Sequence, residues 1–152
     1  MPEVLIRAEN VTKVYGQTRA VDGVSFELNR GEVLGFLGPN GAGKTTTMKI
    51  LTCFMPPTSG RAFVGGHDVD THSLDVRRKI GYLPEDNPLY PDMTPVEYLE
   101  FVAAVRDIPI AKRRGRISEI GRACGLADVA GKPIAELSKG FRQRVGLAQA
   151  LV

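Results

Sequence analysis

An α/β fold is what this sequence predicts, and three observations carry the prediction. The first third alternates apolar and polar residues with the period of a strand. The stretch Gly38-Pro39-Asn40-Gly41-Ala42-Gly43-Lys44-Thr45-Thr46 fits the spacing G-x-x-x-x-G-K-[ST] and sits between an apolar run and a helical pattern. From about residue 87 onward, helix signals replace strand signals. Residues 1–86 therefore read as a β-rich, nucleotide-binding core, present in part, and residues 87–152 as a truncated helical subdomain.

The elements follow in order. Val4 to Tyr15 alternates and meets a turn at Gly16-Gln17, and Val24 to Leu28 repeats the period of two before Asn29-Arg30-Gly31-Glu32 turns the chain. Two antiparallel strands are thus expected ahead of the glycine-rich loop. Val33-Leu34-Gly35-Phe36-Leu37 is short and apolar, as a strand buried on both faces would be. Lys44 to Phe54 reads as a helix that stops before Pro56-Pro57. Ser59-Gly60 and Gly65-Gly66 bracket a short strand. Leu74 to Lys79 is a small amphipathic helix leading into Ile80-Gly81-Tyr82-Leu83, another expected strand. Thr94-Pro95-Val96-Glu97 places a capping residue, a proline at the first helical position and a glutamate in the first turn, so a helix should run from there to about Arg106. A further helix spans about Ile110 to Cys124 and should stop at Gly125. Its Lys112, Arg113, Arg114 and Arg116 form a basic run that reads as a solvated face, with a docking surface for an acidic partner as the alternative.

The glycine-rich loop carries the chemistry. Its glycines let the backbone curl so that several N–H groups face one anion, and the dipole of the following helix adds its positive end at the same place. Gly38, Pro39, Asn40, Gly41, Ala42, Gly43 and Thr46 would cradle the phosphates of a nucleoside triphosphate. Lys44 would reach the outer phosphates, and the Thr45 hydroxyl would hold magnesium.

Composition bounds the remaining possibilities. With 152 residues, 43% hydrophobic and 24% charged, the chain can form one modest domain with a core. A net charge of +3 suits an anion binder but is too mild to argue for nucleic acid, and no nucleic-acid partner is expected. Cys53 and Cys124 lack metal spacing and sit in apolar, helical surroundings, which suits reduced core thiols in a cytosolic protein. No apolar run approaches the roughly 20 residues that cross a bilayer, and no signal peptide opens the chain, so a membrane role would come through a partner. His67 and His72 read as surface residues, and Asp68, Asp70 and Asp75 as turn and capping residues.

A second motif, Leu137-Ser138-Lys139-Gly140-Phe141-Arg142-Gln143-Arg144, precedes an apolar helical run from Val145 to Val152. A serine at a helix start offers free N–H groups, a hydroxyl and a positive dipole end. Lys139, Arg142 and Arg144 add positive charge to that already positive end, an arrangement that an anionic ligand would relieve. A plain serine cap with exposed basic residues fits the same pattern.

Taken together these motifs resemble the ATP-binding cassette (ABC) transporter ATPases. The loop G-P-N-G-A-G-K-T-T is similar to their Walker A motif, L-S-K-G-F to their L-S-G-G-Q signature, and G-Y-L-P-E at residues 81–85 to their Q-loop. Tyr15, in V-Y-G, matches the aromatic that stacks on adenine in that family. The resemblance covers essentially the whole chain, and its texture is closest to bacterial exporter ATPases. It implies a P-loop NTPase fold, ABC ATPase-like and here incomplete.

Two departures from the family pattern stand out. Glu85 replaces the Q-loop glutamine and is expected to act beside Lys44 in catalysis and, with Thr45, as a magnesium ligand. In the signature, Lys139 and Phe141 replace a glycine and a glutamine, while Ser138 and Gly140 remain to keep the anion site.

The resemblance also implies a head-to-tail pair, in which Ser138, Lys139, Gly140 and Phe141 of one copy close over ATP held at Lys44 of the other. Closing and reopening would drive membrane-spanning permease subunits through residues about 86–105, placing the protein in the cytoplasm on the inner face of the cell membrane. ATP and Mg2+ are the expected ligands.

The family's magnesium-linked aspartate, general-base glutamate and later histidine have no counterpart here. The chain is therefore read as an N-terminal fragment that binds ATP weakly, hydrolyses little or none alone, and dissolves poorly because the phosphate-loop strand lacks a neighbour. A soluble ABC-type ATPase acting on ribosomes or DNA is the alternative reading, and an unrelated P-loop kinase or GTPase a third.

Overall fold

The computed structural model describes residues 3–152. The chain falls into two units, Met1–Ile80 and Gly81–Val152, so Glu85 belongs with the helices that follow it.

The first unit is built on an antiparallel sheet of order β2-β1-β3-β4, with β1 Val4–Tyr15, β2 Thr18–Asn29, β3 Ser59–Val64 and β4 His67–Asp68. β1 and β2 form a long hairpin through Gly16-Gln17, with Tyr15 paired to Thr18 and Val4 to Asn29. Several register shifts bend this ribbon, one between Ala8 and Val11 where Asn10 takes a positive φ of 49°. Ala8, Val11, Val21, Ala62 and Val64 turn their side chains to one side. There they pack with Ile50 and Leu51 of α1 (Lys44–Leu51) and Val76 of α2 (Ser73–Lys79). That alternation is why the sequence reads as strand: one face meets the helices and the other meets water. Asp68 shapes the β4–α2 turn, accepting the N–H groups of Asp70 and Thr71 at 2.9 and 3.1 Å. His67 is half-buried and His72 exposed, their rings 6.2 Å apart.

The second unit packs α3 (Pro95–Val105), α4 (Ile110–Ala123) and α5 (Lys139–Leu151) around Leu99, Ala103, Ile117, Ile120, Ile134 and Val145. Local chemistry sets each boundary. Thr94 and Glu97 form a reciprocal capping box, the threonine hydroxyl accepting the Glu97 N–H and the glutamate accepting the Thr94 N–H at 2.8 Å. α4 ends at Cys124, and Gly125 follows with φ 64°, the left-handed stop expected there. Ser138 caps α5, its hydroxyl accepting the Phe141 N–H at 3.3 Å.

Two expected strands are not strands. Residues 33–37 pair with no described strand, and Val33 and Leu37 are 98% and 95% exposed. Only Phe36 finds a place, edge-on to Phe26 with ring centroids 5.4 Å apart. Residues 80–83 likewise form no ladder. A strand exists only with a partner to share its hydrogen bonds, and apolar sequence does not supply one. A third difference is Cys53: it is not helical but sits half-buried in the turn after α1 with φ 58°, and burial pushes its thiol and that of Cys124 upward.

Candidate functional site

The glycine-rich loop lies in the first unit, between the end of β2 and the start of α1. Gly41 and Gly43 take φ values of 86° and 85°, a region closed to most side chains, and the chain reaches the first turn of α1 through them. Gly43 also lies against β2: a β-carbon there would fall 2.3 Å from the Ala20 carbonyl oxygen. The hairpin thus fixes the base of the loop. The loop closes on itself through Ala42 N–H to the Pro39 carbonyl at 3.2 Å.

The N–H groups of Lys44, Thr45 and Thr46 open α1 and find no acceptor among the described residues, whereas Thr47 N–H already bonds to Gly43 at 2.8 Å. Lys44 curls back, its ammonium donating to the carbonyls of Gly38 and Pro39 at 2.6 and 2.7 Å. The side chain therefore lies over the loop, next to the free N–H groups of α1. No acidic residue occupies the first turn, so nothing of the chain's own neutralises the positive end of α1. The hydroxyl of Thr45 is exposed and has no partner among the described residues. Uncompensated N–H donors, a lysine and a free hydroxyl at one helix start fit a phosphate chain and its metal.

Tyr15 ends β1 in the same unit. Its ring is 45% exposed, its hydroxyl donates to Met55 Sδ at 2.8 Å, and the Lys13 ammonium lies 5.6 Å from the ring centre. That ammonium is itself anchored to the Pro56 carbonyl at 2.7 Å. The aromatic is thus held by one edge while part of its surface meets water.

The second unit holds the other expected residues. Ser138, Lys139 and Gly140 are exposed at the start of α5, where again no acidic residue sits. Phe141 follows them in the first turn of α5. It is half-buried against the core of the unit with Arg144 stacked 5.2 Å over its ring, so an apolar ring here anchors the helix start. Arg142 donates to the Leu137 carbonyl, which leaves Lys139 as the cation of this turn without a partner. Lys139 and Arg142 line one side of a cavity of about 460 Å3, and Glu85, Asp86 and Asn87 line another. The Glu85 carboxylate is exposed, and its backbone carbonyl accepts Gln143 Nε2 at 3.4 Å.

Sequence reasoning missed Asn87. Its Nδ2 is buried with no hydrogen-bond partner, against Gly146 of α5, where an added β-carbon would lie 1.8 Å away. Gly81 meets the same helix, its would-be β-carbon 1.9 Å from the Ala150 carbonyl oxygen. The Glu85 segment therefore rides directly on α5 at both ends, and only the glycines at 81 and 146 hinted at it. Among the described residues no group of three or more His, Cys, Asp or Glu side chains could hold a metal.

The chain is 39% identical over 150 residues to the probable multidrug ABC transporter ATP-binding protein YbhF of Escherichia coli, covering 99% of this chain and 26% of that protein. It is 35% identical to the linearmycin resistance ATP-binding protein LnrL of Bacillus subtilis, covering 97% of this chain and 48% of that one. The chain thus spans a quarter to a half of the length of these curated relatives.

Among solved structures it superposes on an ATP-binding subunit of an ABC transporter with a TM-score of 0.86 at 29% identity, covering 96% of this chain and 61% of that one. It superposes equally on cbiO1 of Clostridium perfringens, part of the ABC transporter complex cbiONQ, at 27% identity, covering 98% of this chain and 61% of that one. The P-loop NTPase fold of ABC ATPases, in part, is therefore the fold of this chain. A family model described as ABC transporter matches residues 21–152, from within β2 onward, and with that match the chain belongs to the ABC transporter family.

Proposed function

We propose that this chain is the nucleotide-binding part of an ABC exporter ATPase, in which ATP binding and hydrolysis by the whole protein are coupled to export across a membrane. The observation that carries it is the loop from Gly38 to Thr46. Left-handed glycines deliver the unsatisfied N–H groups of α1 and the Lys44 ammonium to one place. Those donors would bind and orient the phosphates, with Lys44 exchanging two carbonyl contacts for phosphate oxygens. Tyr15 would carry the base on its exposed ring surface. Thr45 would hold magnesium, with Glu85 as its second ligand and the group orienting the attacking water; the ion supplies neutralisation of phosphate charge. Ser138, Lys139 and Gly140, exposed at a helix start, would meet nucleotide held by a second copy in a head-to-tail pair.

No described helix is long and apolar enough to cross a membrane, so the membrane contact is assigned to permease subunits, reached through residues about 86–105 from the cytoplasmic side. The exposed apolar run 33–37, unpaired among the described residues, would become a strand against strands of the whole protein.

The test is equilibrium binding of ATP to this chain with and without magnesium, beside Lys44→Ala and a phosphate-release assay. Losing a charge-assisted phosphate contact worth about 1.5–3 kcal/mol should weaken binding roughly 10- to 100-fold. Binding unchanged in Lys44→Ala would overturn the assignment of the loop.

A further inference from the structure

We infer, resting on the reading of Tyr15 as the platform for the base, that Met55 is a positioning residue for nucleotide binding, holding the Tyr15 ring in the orientation that stacks. The Tyr15 hydroxyl donates to Met55 Sδ at 2.8 Å, across 40 positions of sequence. Met55 lies outside the phosphate loop and is half-buried against the apolar core of the first unit. A thioether packs like a hydrocarbon and still accepts a hydroxyl, so one side chain can sit on the core and receive the edge of a phenol.

The contact is one of a row. Lys13, Val14 and Tyr15, which end β1, each meet a different residue of the segment Met55-Pro56-Pro57-Thr58. The Lys13 ammonium donates to the Pro56 carbonyl at 2.7 Å and the Val14 N–H to the Thr58 hydroxyl at 3.0 Å, beside the bond from Tyr15 to Met55. The Thr58 N–H closes the row on the Thr12 carbonyl at 2.8 Å. Two consecutive prolines fix φ in the middle of the segment, which makes it a stiff support. Its other end is tied to α1, where the N–H groups of Phe54 and Met55 both donate to the Lys49 carbonyl, at 2.8 and 3.4 Å. α1 opens at Lys44, so the continuous stretch 44–58 carries phosphate-loop donors at one end and the support of Tyr15 at the other.

The ring thus has two handles, Met55 at its hydroxyl and the Lys13 ammonium 5.6 Å from its centre, and both lead to the same segment. A ring held in place before the nucleotide arrives need not be ordered on binding. The gain falls on the base and not on the phosphates, because Met55 touches the group that meets the base and no residue of the loop from Gly38 to Thr46 bonds to it.

The test titrates this chain with ATP and, separately, with inorganic triphosphate, which lacks the base, both with magnesium and followed by calorimetry. Met55→Leu keeps the apolar volume and removes the acceptor. It should weaken ATP binding about two- to tenfold, the net worth of one hydrogen bond, and leave triphosphate binding unchanged. Met55→Gln has the same length and a carbonyl oxygen that accepts the hydroxyl, and should restore the affinity for ATP. Tyr15→Phe should match Met55→Leu, with the double variant losing no more than either alone. Tyr15→Ala should weaken ATP binding about tenfold or more, and circular dichroism verifies that each variant is folded. Unchanged ATP affinity in Tyr15→Ala overturns the reading of Tyr15 as the base platform, and the role of Met55 with it. A loss in Tyr15→Ala beside unchanged affinity in Met55→Leu overturns the role of Met55 alone. So does equal weakening of ATP and triphosphate in Met55→Leu, the mark of a support of the fold only, or additive losses in the double variant.

Discussion

Replacing Gly43 by alanine asks whether β2 holds the base of the phosphate loop, and Gly41→Ala is its built-in control. Both residues have nearly the same backbone, φ 85° and 86°, so the conformational cost of adding a β-carbon in the left-handed region, about 1–2 kcal/mol, is common to them. Alanine returns about 0.4–1 kcal/mol by restricting the unfolded chain. Gly41→Ala, with nothing within 4 Å of the new carbon, should therefore lose about 1 kcal/mol. Gly43→Ala adds a contact of 2.3 Å with the Ala20 carbonyl oxygen and one of 3.2 Å with Val21 Cγ2. Relieving the first needs the loop and β2 to separate by about an ångström, an overpacking cost of about 1–3 kcal/mol. The total for Gly43→Ala is then about 2–4 kcal/mol. Urea unfolding of the nucleotide-free chain, followed by tyrosine fluorescence and far-UV circular dichroism, measures both. Equal losses in the two variants would refute the claim that contact with β2, and not backbone conformation alone, sets the glycine at 43.

Three further outcomes are expected. Thr94→Ala removes the hydroxyl half of the capping box, leaving the backbone N–H at 94 to the Glu97 carboxylate, and should lower the stability of the helical unit by about 1 kcal/mol in urea unfolding, with Thr94→Ser largely retaining it. Gly146→Ala drives a β-carbon into Asn87 and Leu83 and should cost about 1–3 kcal/mol, and Asn87→Gly in the same chain should recover part of it; additive losses would show that the two do not touch. Asp68 is one of the pH-sensitive groups of the first unit. Burial alone would raise its carboxyl, but the Thr71 and Asp70 N–H groups and Arg61 outweigh burial and hold it below the ordinary aspartate range. A depressed carboxyl contributes stability that is complete above its unfolded value of about 3.9 and is lost as pH falls through the lower folded value. Asp68→Asn should be less stable at neutral pH and should show a flatter decline than the wild type below about pH 4 in acid titrations followed by circular dichroism.

Much of the fold and half of the candidate site could be read in the linear chain because the signals are local. β1 runs from Val4 to Tyr15 as its alternation predicts, since one face of a two-sided ribbon must be apolar. The starts at Thr94 and Ser138 and the stop at Gly125 depend on a hydroxyl, a carboxylate or a missing β-carbon within a few residues of the helix end. Lys44 and the loop glycines are legible for the same reason: the proposed anion site needs one turn of one helix and the loop before it. β2 was underestimated, running from Thr18 to Asn29 where alternation alone marked Val24 to Leu28, because pairing with β1 recruits polar residues such as Arg19 and Asp22 into the ladder region.

What the tertiary structure alone decided are matters of who stands opposite whom. Residues 33–37 and 80–83 have strand-like composition yet no partner to share hydrogen bonds with, and a strand is a property of two segments. Phe141 rests half-buried on the apolar core beside it because burying part of a ring outweighs presenting all of it to water. The glycines at 43, 81 and 146 look alike in the sequence; only packing distinguishes the one held against Ala20 from the two that let the Glu85 segment lie on α5. The sequence by itself determined the phosphate loop, the helix ends and the family, because each is written in adjacent residues. Strand pairing, the close approaches of backbone to backbone and the contact of Met55 with Tyr15 were decided by the fold, because each needs atoms that are distant in the chain and near in space.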